Sequence, residues 1–172
     1  MNASHSEARR ALQSAFAHRR HRLQELAHQL HAAVLAADNP SIRSAFHNLS
    51  AAIEGRIVWE QGTVLPTLTA DRDTSEAGCA GHVESDHLLL LRLLDAFGEW
   101  IVAQPLTLDE VAREVGLRHF ERLWNMLCFH EDRQASFTYP ALTHALSSTE
   151  VRRLAEAMSE GAPFQRSFAS AA

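Results

Sequence analysis

The sequence predicts an all-α protein, an antiparallel up-and-down four-helix bundle with a short C-terminal helix. Three observations lead to this prediction. Apolar residues recur at intervals of three and four along most of the chain, which is the spacing of one face of an α-helix. No strand-like alternation of any length appears, and only 7 Gly and 5 Pro are available to interrupt regular structure. Long amphipathic segments joined by short connections favour antiparallel neighbours.

Three helices and one loop are expected in the first two-thirds of the chain. Helical periodicity places the helices at about residues 4–38, 40–68 and 81–104, with Pro40 opening the second at its first turn. The third helix stops before a proline, because the residue that precedes proline is driven out of the helical conformation. Residues 70–80 are polar and carry no apolar stripe, so they are expected to form the main loop.

A fourth long segment and a short last helix complete the predicted bundle. The fourth segment opens at Thr107 and bends at Pro140, which lacks the N–H that a helix interior needs. Residues 147–150 have the composition of a capping box for the final helix. No linker-like stretch divides the chain. Residues 1–160 are therefore expected to form one domain and residues 161–172 a flexible tail.

Charge and composition argue against several classes of protein. A net charge of −5 and a pI near 6.1 give no electrostatic basis for binding nucleic acid or an anionic membrane. The first twenty residues contain no apolar signal-peptide core, and the most apolar stretch carries charged residues at helical spacing. The 2 cysteines fit neither a zinc ribbon nor a disulfide framework. A cytoplasmic location is expected.

Two copies of one pattern raise the question of function. The first copy carries Arg56 and Glu60, the second carries His130 and Gln134, and each is followed six residues later by a proline. Residues four positions apart point to the same side of a helix, so each copy presents a pair of polar groups on one face. The first pair offers a carboxylate without a histidine, and the second a histidine without a carboxylate.

Residues that can bind a metal fall on the apolar face of each long predicted helix. Helical bundles build metal sites from inward-facing side chains on several helices. The candidate ligands, in chain order, are His21, Glu60, His87 and His130. On the first helix His18, His28 and His31 compete with His21, and the sequence leaves the choice among them open.

The order of these residues resembles the hemerythrin-like, HHE cation-binding family. That family is a four-helix bundle with a histidine on the first helix, His-x-x-x-Glu motifs followed by proline on the second and fourth, and an acidic-His pair on the third. The matching positions are His21, Arg56 and Glu60, Asp86 and His87, and His130 and Gln134. The resemblance covers about residues 15–158. It implies a non-haem di-iron centre that binds oxygen or reacts with nitric oxide or peroxide.

Two of the six ligand positions that the resemblance implies are substituted. Arg56 stands in the place of a histidine and cannot ligate a metal, since its guanidinium stays protonated and has no acceptor. Gln134 stands in the place of a glutamate, and a neutral amide is a poor iron ligand. The four candidate ligands named above remain, so a site for two irons is not expected.

Three interpretations of the site follow. The first is one iron or other divalent ion, held by two or three histidines and one carboxylate. The second is a metal-free bundle in which Arg56 and Glu60 form an ion pair beside a hydrogen-bonded core of Gln134 and the histidines. The third is that Glu131 or Asp132 replaces Gln134 and restores an acidic ligand. The rotation of about 100° per residue in a regular helix opposes this replacement.

The expected function is an iron-binding module that responds to oxygen, nitric oxide or redox state rather than a fast enzyme. The alternative is a metal-free helical module that acts through a protein partner or a homodimer. A second alternative is an intact di-iron protein that binds oxygen or nitric oxide. The expected partners are a metal ion with one of these small molecules, and neither nucleic acid nor a membrane is expected.

Overall fold

The protein is a helical bundle, as the sequence predicts. Its structure, a computed structural model, describes residues 3–69 and 77–160. In these ranges the elements are α1 (Ala3–Leu35), α2 (Asn39–Thr69), α3 (Ala77–Ala103), α4 (Glu110–Arg133), a π-helical turn (Gln134–Thr138), α5 (Tyr139–Ala145) and α6 (Ser148–Glu160). The same ranges contain no strand, and none of their helices has an apolar stretch long enough to cross a membrane. The predicted tail, residues 161–172, lies outside the described residues.

Four long rods form the bundle. α1, α2 and α3 are three of them, and the fourth is α4 continued through the π-helical turn into α5. α1 packs against α2 and α4, α3 packs against the same two helices on the opposite side, and α6 lies along α1. This is the expected antiparallel up-and-down arrangement with a short C-terminal helix, and it brings residues from three rods to one level in the interior.

The connections differ in detail from the predicted ones. α3 begins at Ala77 rather than near Gly81, so the last part of the predicted loop is helical, and residues 70–76 lie outside the described ranges. Before α2, the Asp38 carboxylate accepts a hydrogen bond from the backbone N–H of Ser41 at 3.1 Å, as a helix cap does. The buried Asn39 amide donates to the carbonyl oxygen of Gln104 at 2.9 Å and so ties the start of α2 to the end of α3.

The predicted bend at Pro140 takes the form of a π-helical turn. The N–H of Tyr139 donates to the carbonyl oxygen of Gln134, five residues earlier. Proline has no N–H to give, and in a regular helix its ring meets the carbonyl group four residues before it. A wider turn relieves that contact, and such turns change which side chains face the interior. The predicted capping box is present, because Glu150 accepts hydrogen bonds from both the N–H and the hydroxyl of Ser147.

Candidate metal centre

A layer of polar side chains divides the bundle core into two apolar halves. One half includes Phe16 and Leu142, and the other includes Leu23 and Leu127. The layer consists of Arg56, Glu60, Asp86, His87, His130, Glu131 and Gln134, none of which is more than 8% exposed. These residues continue the apolar stripes of their helices, so the periodicity that builds the core also turns them inward.

Three of the four predicted ligands converge in this layer. Glu60 Oε2 lies 2.8 Å from His87 Nε2 and 3.2 Å from His130 Nε2. One ligand atom of each residue lies within 4.8 Å of the other two. Metal bonds of about 2.0–2.2 Å keep neighbouring ligand atoms about 3 Å apart. Two imidazoles and a carboxylate are also the donor set of non-haem Fe(II) sites, so both chemistry and spacing fit one metal ion.

The structure does not bring the fourth predicted ligand, His21, to this layer. Its side chain is 69% exposed, and its Nε2 lies 3.3 Å from the Glu25 carboxylate on the outer face of α1. His18 and His28 are also exposed, and His31 is half-buried on an aromatic ring away from the layer. The expectation that the first helix supplies an inward histidine is therefore wrong.

Helical rotation explains why His21 points outward. The buried stripe of α1 passes from Phe16 to Leu23, and the positions between them that share this face are 19 and 20. Arg19 occupies the first of these positions. Its guanidinium lies 4.5 Å from the centre of the Trp59 ring and donates a hydrogen bond to the carbonyl oxygen of Met158. α1 thus faces the layer with an arginine and apolar groups.

Arg56 joins two carboxylates of the layer. Its Nε donates to Glu60 Oε1 at 2.6 Å, one Nη donates to Glu131, and the other donates to the Tyr139 hydroxyl at 3.2 Å. Burial alone would lower the pKa of Arg56, but the interactions with Glu60, Tyr139 and Glu131 together outweigh burial, and the net shift of the pKa is upward. The ion pair between Arg56 and Glu60 that the second interpretation expects is therefore present. Oε2 of Glu60 is left to face the histidines.

The electrostatics of the metal-free layer favour a charged His130. Burial by itself would lower the pKa of His130, but hydrogen bonds to Asp86 and Glu60 raise it to about 9. For Glu60, burial alone would raise the pKa. The charge of Arg56 and the hydrogen bonds from both histidines instead hold the pKa of Glu60 well below its usual range. At neutral pH the carboxylate of Glu60 and the imidazolium of His130 form an ion pair.

Asp86 orients His130. Its Oδ2 lies 3.4 Å from His130 Nδ1, and its Oδ1 accepts a hydrogen bond from Arg133 at 3.0 Å. Imidazoles that bind metals commonly donate the hydrogen of their second nitrogen to a carboxylate, which fixes the tautomer and aims the first nitrogen at the ion. His130 has this arrangement, with Nε2 aimed at Glu60. His87 does not, since its Nδ1 is buried without a hydrogen-bond partner among the described residues.

Gln134 provides a fourth polar group beside the triad. Its amide nitrogen donates to Glu60 Oε2 at 2.8 Å and lies 3.1 Å from His130 Nε2. Its amide oxygen is buried and has no hydrogen-bond partner within the described ranges. Rotation of the amide by 180° would bring that oxygen beside the triad. Because an amide oxygen can bind a hard cation, Gln134 fits as a weak additional ligand.

From the sequence, Glu131 was expected only as a replacement for Gln134, and its contact with Arg56 was not predicted. It is buried in the regular part of α4 and bonds Arg56 rather than facing the histidines. The signal was available, since Glu131 follows Leu127 by four residues on the same helix face. Asp132, the other proposed replacement, is 67% exposed and pairs with Arg20 at 3.0 Å. Neither acidic residue takes the place of Gln134.

Comparison of the chain with models of protein families, with curated protein sequences and with solved structures finds no match. The chemistry of the site is therefore inferred from its own residues. The layer can hold one divalent cation on three ligands, or it can exist as a network of ion pairs without one. A bound cation and the ion-pair network would both use the carboxylate of Glu60, so the two states exclude each other in part.

Proposed function

We propose that the chain is a hemerythrin-like helical bundle that binds one divalent transition metal, with iron as the expected ion. Glu60, His87 and His130 would hold it. The observation that carries this proposal is the convergence of these three side chains, from three rods of the bundle, on one buried point. The contact of Asp86 with His130 Nδ1 also supports it. A carboxylate commonly accepts a hydrogen bond from the second ring nitrogen of a metal-binding histidine, whereas a histidine that only packs in the core does not require one.

A single ion fits the layer better than two. Arg56 lies between Glu60 and Glu131 and donates a hydrogen bond to each, so the second carboxylate faces a fixed positive charge rather than a ligand position. Among the described residues, one group of three histidine or carboxylate ligands meets the spacing that an ion requires. The substituted positions Arg56 and Gln134 therefore support a hemerythrin-like site reduced to one metal.

An ion with three protein ligands keeps open coordination positions, and it would supply affinity for a small molecule such as oxygen or nitric oxide. The three ligand side chains are at most 2% exposed, so larger substrates have no direct path to them. His130 must release the proton from Nε2 before this nitrogen can bind a cation. We therefore propose a module that responds to iron, to oxygen or nitric oxide, or to redox state. We do not propose that it catalyses a reaction with rapid turnover.

The second candidate is a metal-free helical module that acts through a protein partner or a homodimer. One observation favours it. Three positive groups (Arg56, Arg133 and protonated His130) face three carboxylates of the same layer. Charge is thus balanced without a cation, and burial of balanced, hydrogen-bonded pairs is tolerated in protein cores. This candidate predicts that added metal finds no defined site.

Metal content separates the two candidates. The protein is expressed with ample iron, freed of loosely bound metal and analysed by mass spectrometry, and the stripped protein is titrated anaerobically with Fe(II) and then Zn(II). About one equivalent is expected from the single three-ligand group. Less than about a tenth of an equivalent, with no heat of binding on titration, would favour the metal-free module.

Matched variants show whether any binding occurs at the layer. His87→Asn and His130→Asn should each abolish stoichiometric binding, because each removes one of three ligands. His21→Asn and His28→Asn remove exposed histidines and should leave it unchanged. The opposite pattern, with loss only in the exposed variants, would show adventitious surface binding.

A restoring pair tests the relationship to a di-iron site. Arg56→His combined with Gln134→Glu replaces both substituted positions with the residues that the resemblance implies. The stoichiometry should rise from about one equivalent towards two if the backbone still holds the geometry of a two-metal site. Two equivalents in the unmodified protein would instead support the second alternative, a di-iron protein with replacement ligands.

A further inference from the structure

A cavity of about 540 Å³ lies between α1 and the junction of the π-helical turn with α5. Its lining includes the buried side chains of Leu12 and Phe16 and the half-buried ring of Tyr139. Cavities of this volume with mostly apolar walls are typical of small-molecule sites. The three metal ligands do not line it, so the cavity is distinct from the proposed metal centre.

Arginines dominate the charge of this cavity. Arg9, Arg10 and Arg20 contribute to its lining, against one carboxylate, that of Glu131. Arg56 donates a hydrogen bond to the Glu131 carboxylate, so the negative charge of Glu131 is already compensated. A concave site with apolar walls and an excess of positive charge concentrates anions. The lining therefore selects for negative charge as well as for apolar surface.

The three arginines differ in whether their guanidinium groups already have a partner. Arg9 donates to the Thr143 hydroxyl at 3.2 Å, which holds its guanidinium at the wall and leaves other donors unused. Arg20 pairs with Asp132, whereas Arg10 is exposed and forms no ion pair within residues 3–69 and 77–160. The planar fork of a guanidinium matches a carboxylate with two parallel hydrogen bonds. Arg9 and Arg10 are thus placed to receive one.

The apolar part of the cavity indicates the shape of the rest of the ligand. Phe16 and Tyr139 stack on each other with an interplanar angle of 20° and together form an aromatic wall of the cavity. Each ring covers one face of the other, so a flat apolar group would meet an outer face or a ring edge, and both contacts are favourable between aromatic groups. A free inorganic anion would leave this wall uncovered, and a neutral aromatic molecule would leave Arg9 and Arg10 without an anionic partner.

We infer that this cavity binds a small organic anion with a flat apolar body and one carboxylate, held by Arg9 and Arg10 against the wall of Phe16 and Tyr139. The site does not depend on a bound metal. It does share two residues, Glu131 and Tyr139, with the hydrogen bonds of Arg56, so its occupant lies next to the polar layer.

The test uses 2-naphthoate as the probe and the full chain in the presence of a chelator. Isothermal titration should show saturable binding at one site. The neutral analogue 2-naphthamide has the same shape and should bind about tenfold more weakly or worse, because it lacks the charge that the guanidinium fork recognises. Inorganic phosphate should not displace the naphthoate, since it cannot cover the aromatic wall.

Variants locate the site. Arg9→Gln with Arg10→Gln should weaken naphthoate binding by about tenfold or more. The matched control, Arg92→Gln with Arg118→Gln, removes the same charge from positions that do not line the cavity and should leave affinity unchanged. Ala17→Trp places a large ring in the cavity from an exposed position on α1 and should abolish binding. Circular dichroism and thermal melting confirm that each variant is folded.

Several outcomes would overturn the inference. They are no saturable binding of naphthoate at millimolar concentration, equal affinity for the amide, and competition by phosphate at similar concentration. Equal loss of affinity in the control pair would show that overall charge, rather than the cavity, attracts the probe. Unchanged binding in Ala17→Trp would place the probe elsewhere.

Discussion

Arg56 donates hydrogen bonds to Glu60, Glu131 and Tyr139 from one buried guanidinium. Its charge offsets Glu131, which would otherwise be buried without a positive partner, and it shares Glu60 with protonated His130. An unpaired buried charge is costly in a protein interior. The same contacts occupy Oε1 of Glu60 and leave Oε2 for the two histidines. Arg56 thus stabilises the metal-free layer and restricts Glu60 to one free ligand atom.

Replacing Arg56 tests its role in the metal-free layer. Arg56→Met keeps the length of the side chain but leaves Glu131 unpaired and Glu60 with His130 as its charged partner, so the free energy of unfolding should fall by about 3–5 kcal/mol. Urea denaturation with a chelator present measures this. Adding Glu131→Gln to the variant should recover part of the loss, because the two residues interact directly. A loss below about 1 kcal/mol, the range of an exposed ion pair, would contradict the interpretation.

The pH dependence of stability reports on His130. Its pKa is raised from the ordinary value of 6.5 to about 9 in the metal-free fold, so the protonated form stabilises the folded state. That contribution is complete below pH 6.5 and is lost as the pH rises through about 9. A shift of this size corresponds to about 3 kcal/mol. The free energy of unfolding, measured with a chelator from pH 6 to 10, should fall by about this amount.

Controls separate His130 from other titrating groups. His130→Gln should show a flatter profile in this window, whereas His21→Gln alters an exposed residue and should keep the slope of the unmodified protein. Metal affinity should change in the opposite direction and increase with pH, because the cation competes with the proton on Nε2. Stability that stays level or rises across the window would contradict the ion pair between His130 and Glu60.

At the scale of single elements, the fourth rod combines two kinds of helix. Its regular part, α4, contributes His130 and Glu131, and the π-helical turn contributes Gln134 and Thr138, all of them buried. The wide turn begins at Gln134, the last residue of the polar layer, and ends just before Pro140, where a regular helix would have a steric conflict. One proline therefore changes how the preceding turn presents its side chains.

Packing between α3 and α4 depends on a glycine. A Cβ atom at Gly116 would lie 2.5 Å from Cη2 of Trp100, too close for any contact. Gly116→Ala gains about 1 kcal/mol of helix propensity, but overpacking typically costs about 1–3 kcal/mol. We expect a net loss of stability in urea denaturation.

The matched control for Gly116 is Gly62, which also lies inside a helix. A Cβ atom at Gly62 meets nothing within 4 Å, so Gly62→Ala should stabilise the protein by about 0.5–1 kcal/mol. The comparison isolates the contact with Trp100 from propensity, since both substitutions add one methyl group. Stabilisation by both would show that Trp100 moves aside at no cost.

At the scale of the whole molecule, the proposed metal ligands connect three rods of the bundle. Glu60 lies on α2, His87 on α3 and His130 on α4, so an ion held by all three would bind the folded chain and not the unfolded one. Such a ligand stabilises the fold by mass action. The polar layer also separates the two apolar halves of the core, so an ion there would link them.

Thermal unfolding gives the corresponding prediction. At a metal concentration about 100 times its Kd, the stabilisation is about 2.7 kcal/mol, which raises Tm by about 5–10 °C for a chain of this size. Melting curves followed by circular dichroism, with and without Zn(II), measure the shift. His87→Asn should show no shift, and His28→Asn should show the full one. An equal shift in both variants would place the metal outside the layer.

Much of the fold was predictable because helix formation follows local periodicity. The stripes of apolar residues indicated four long helices and the short last one, and the capping box at residues 147–150 marked the start of the latter. The same stripes turned Glu60, His87 and His130 inward, since each continues a buried helix face. The start of α3 was placed about four residues late, because residues 77–80 (Ala-Gly-Cys-Ala) include a glycine and no large apolar side chain that would continue the stripe.

The sequence by itself determined the helical class and the three inward ligand candidates, and it left open which histidine of the first helix would join them. The tertiary structure decided that none does, because the rotation of α1 against its neighbours presents Arg19 and apolar groups to the layer. It also decided that Arg56 bonds Glu131, which lies 75 residues away in the chain. Contacts of this kind depend on how packed helices are rotated and on competition among buried charges, and neither is encoded in local spacing.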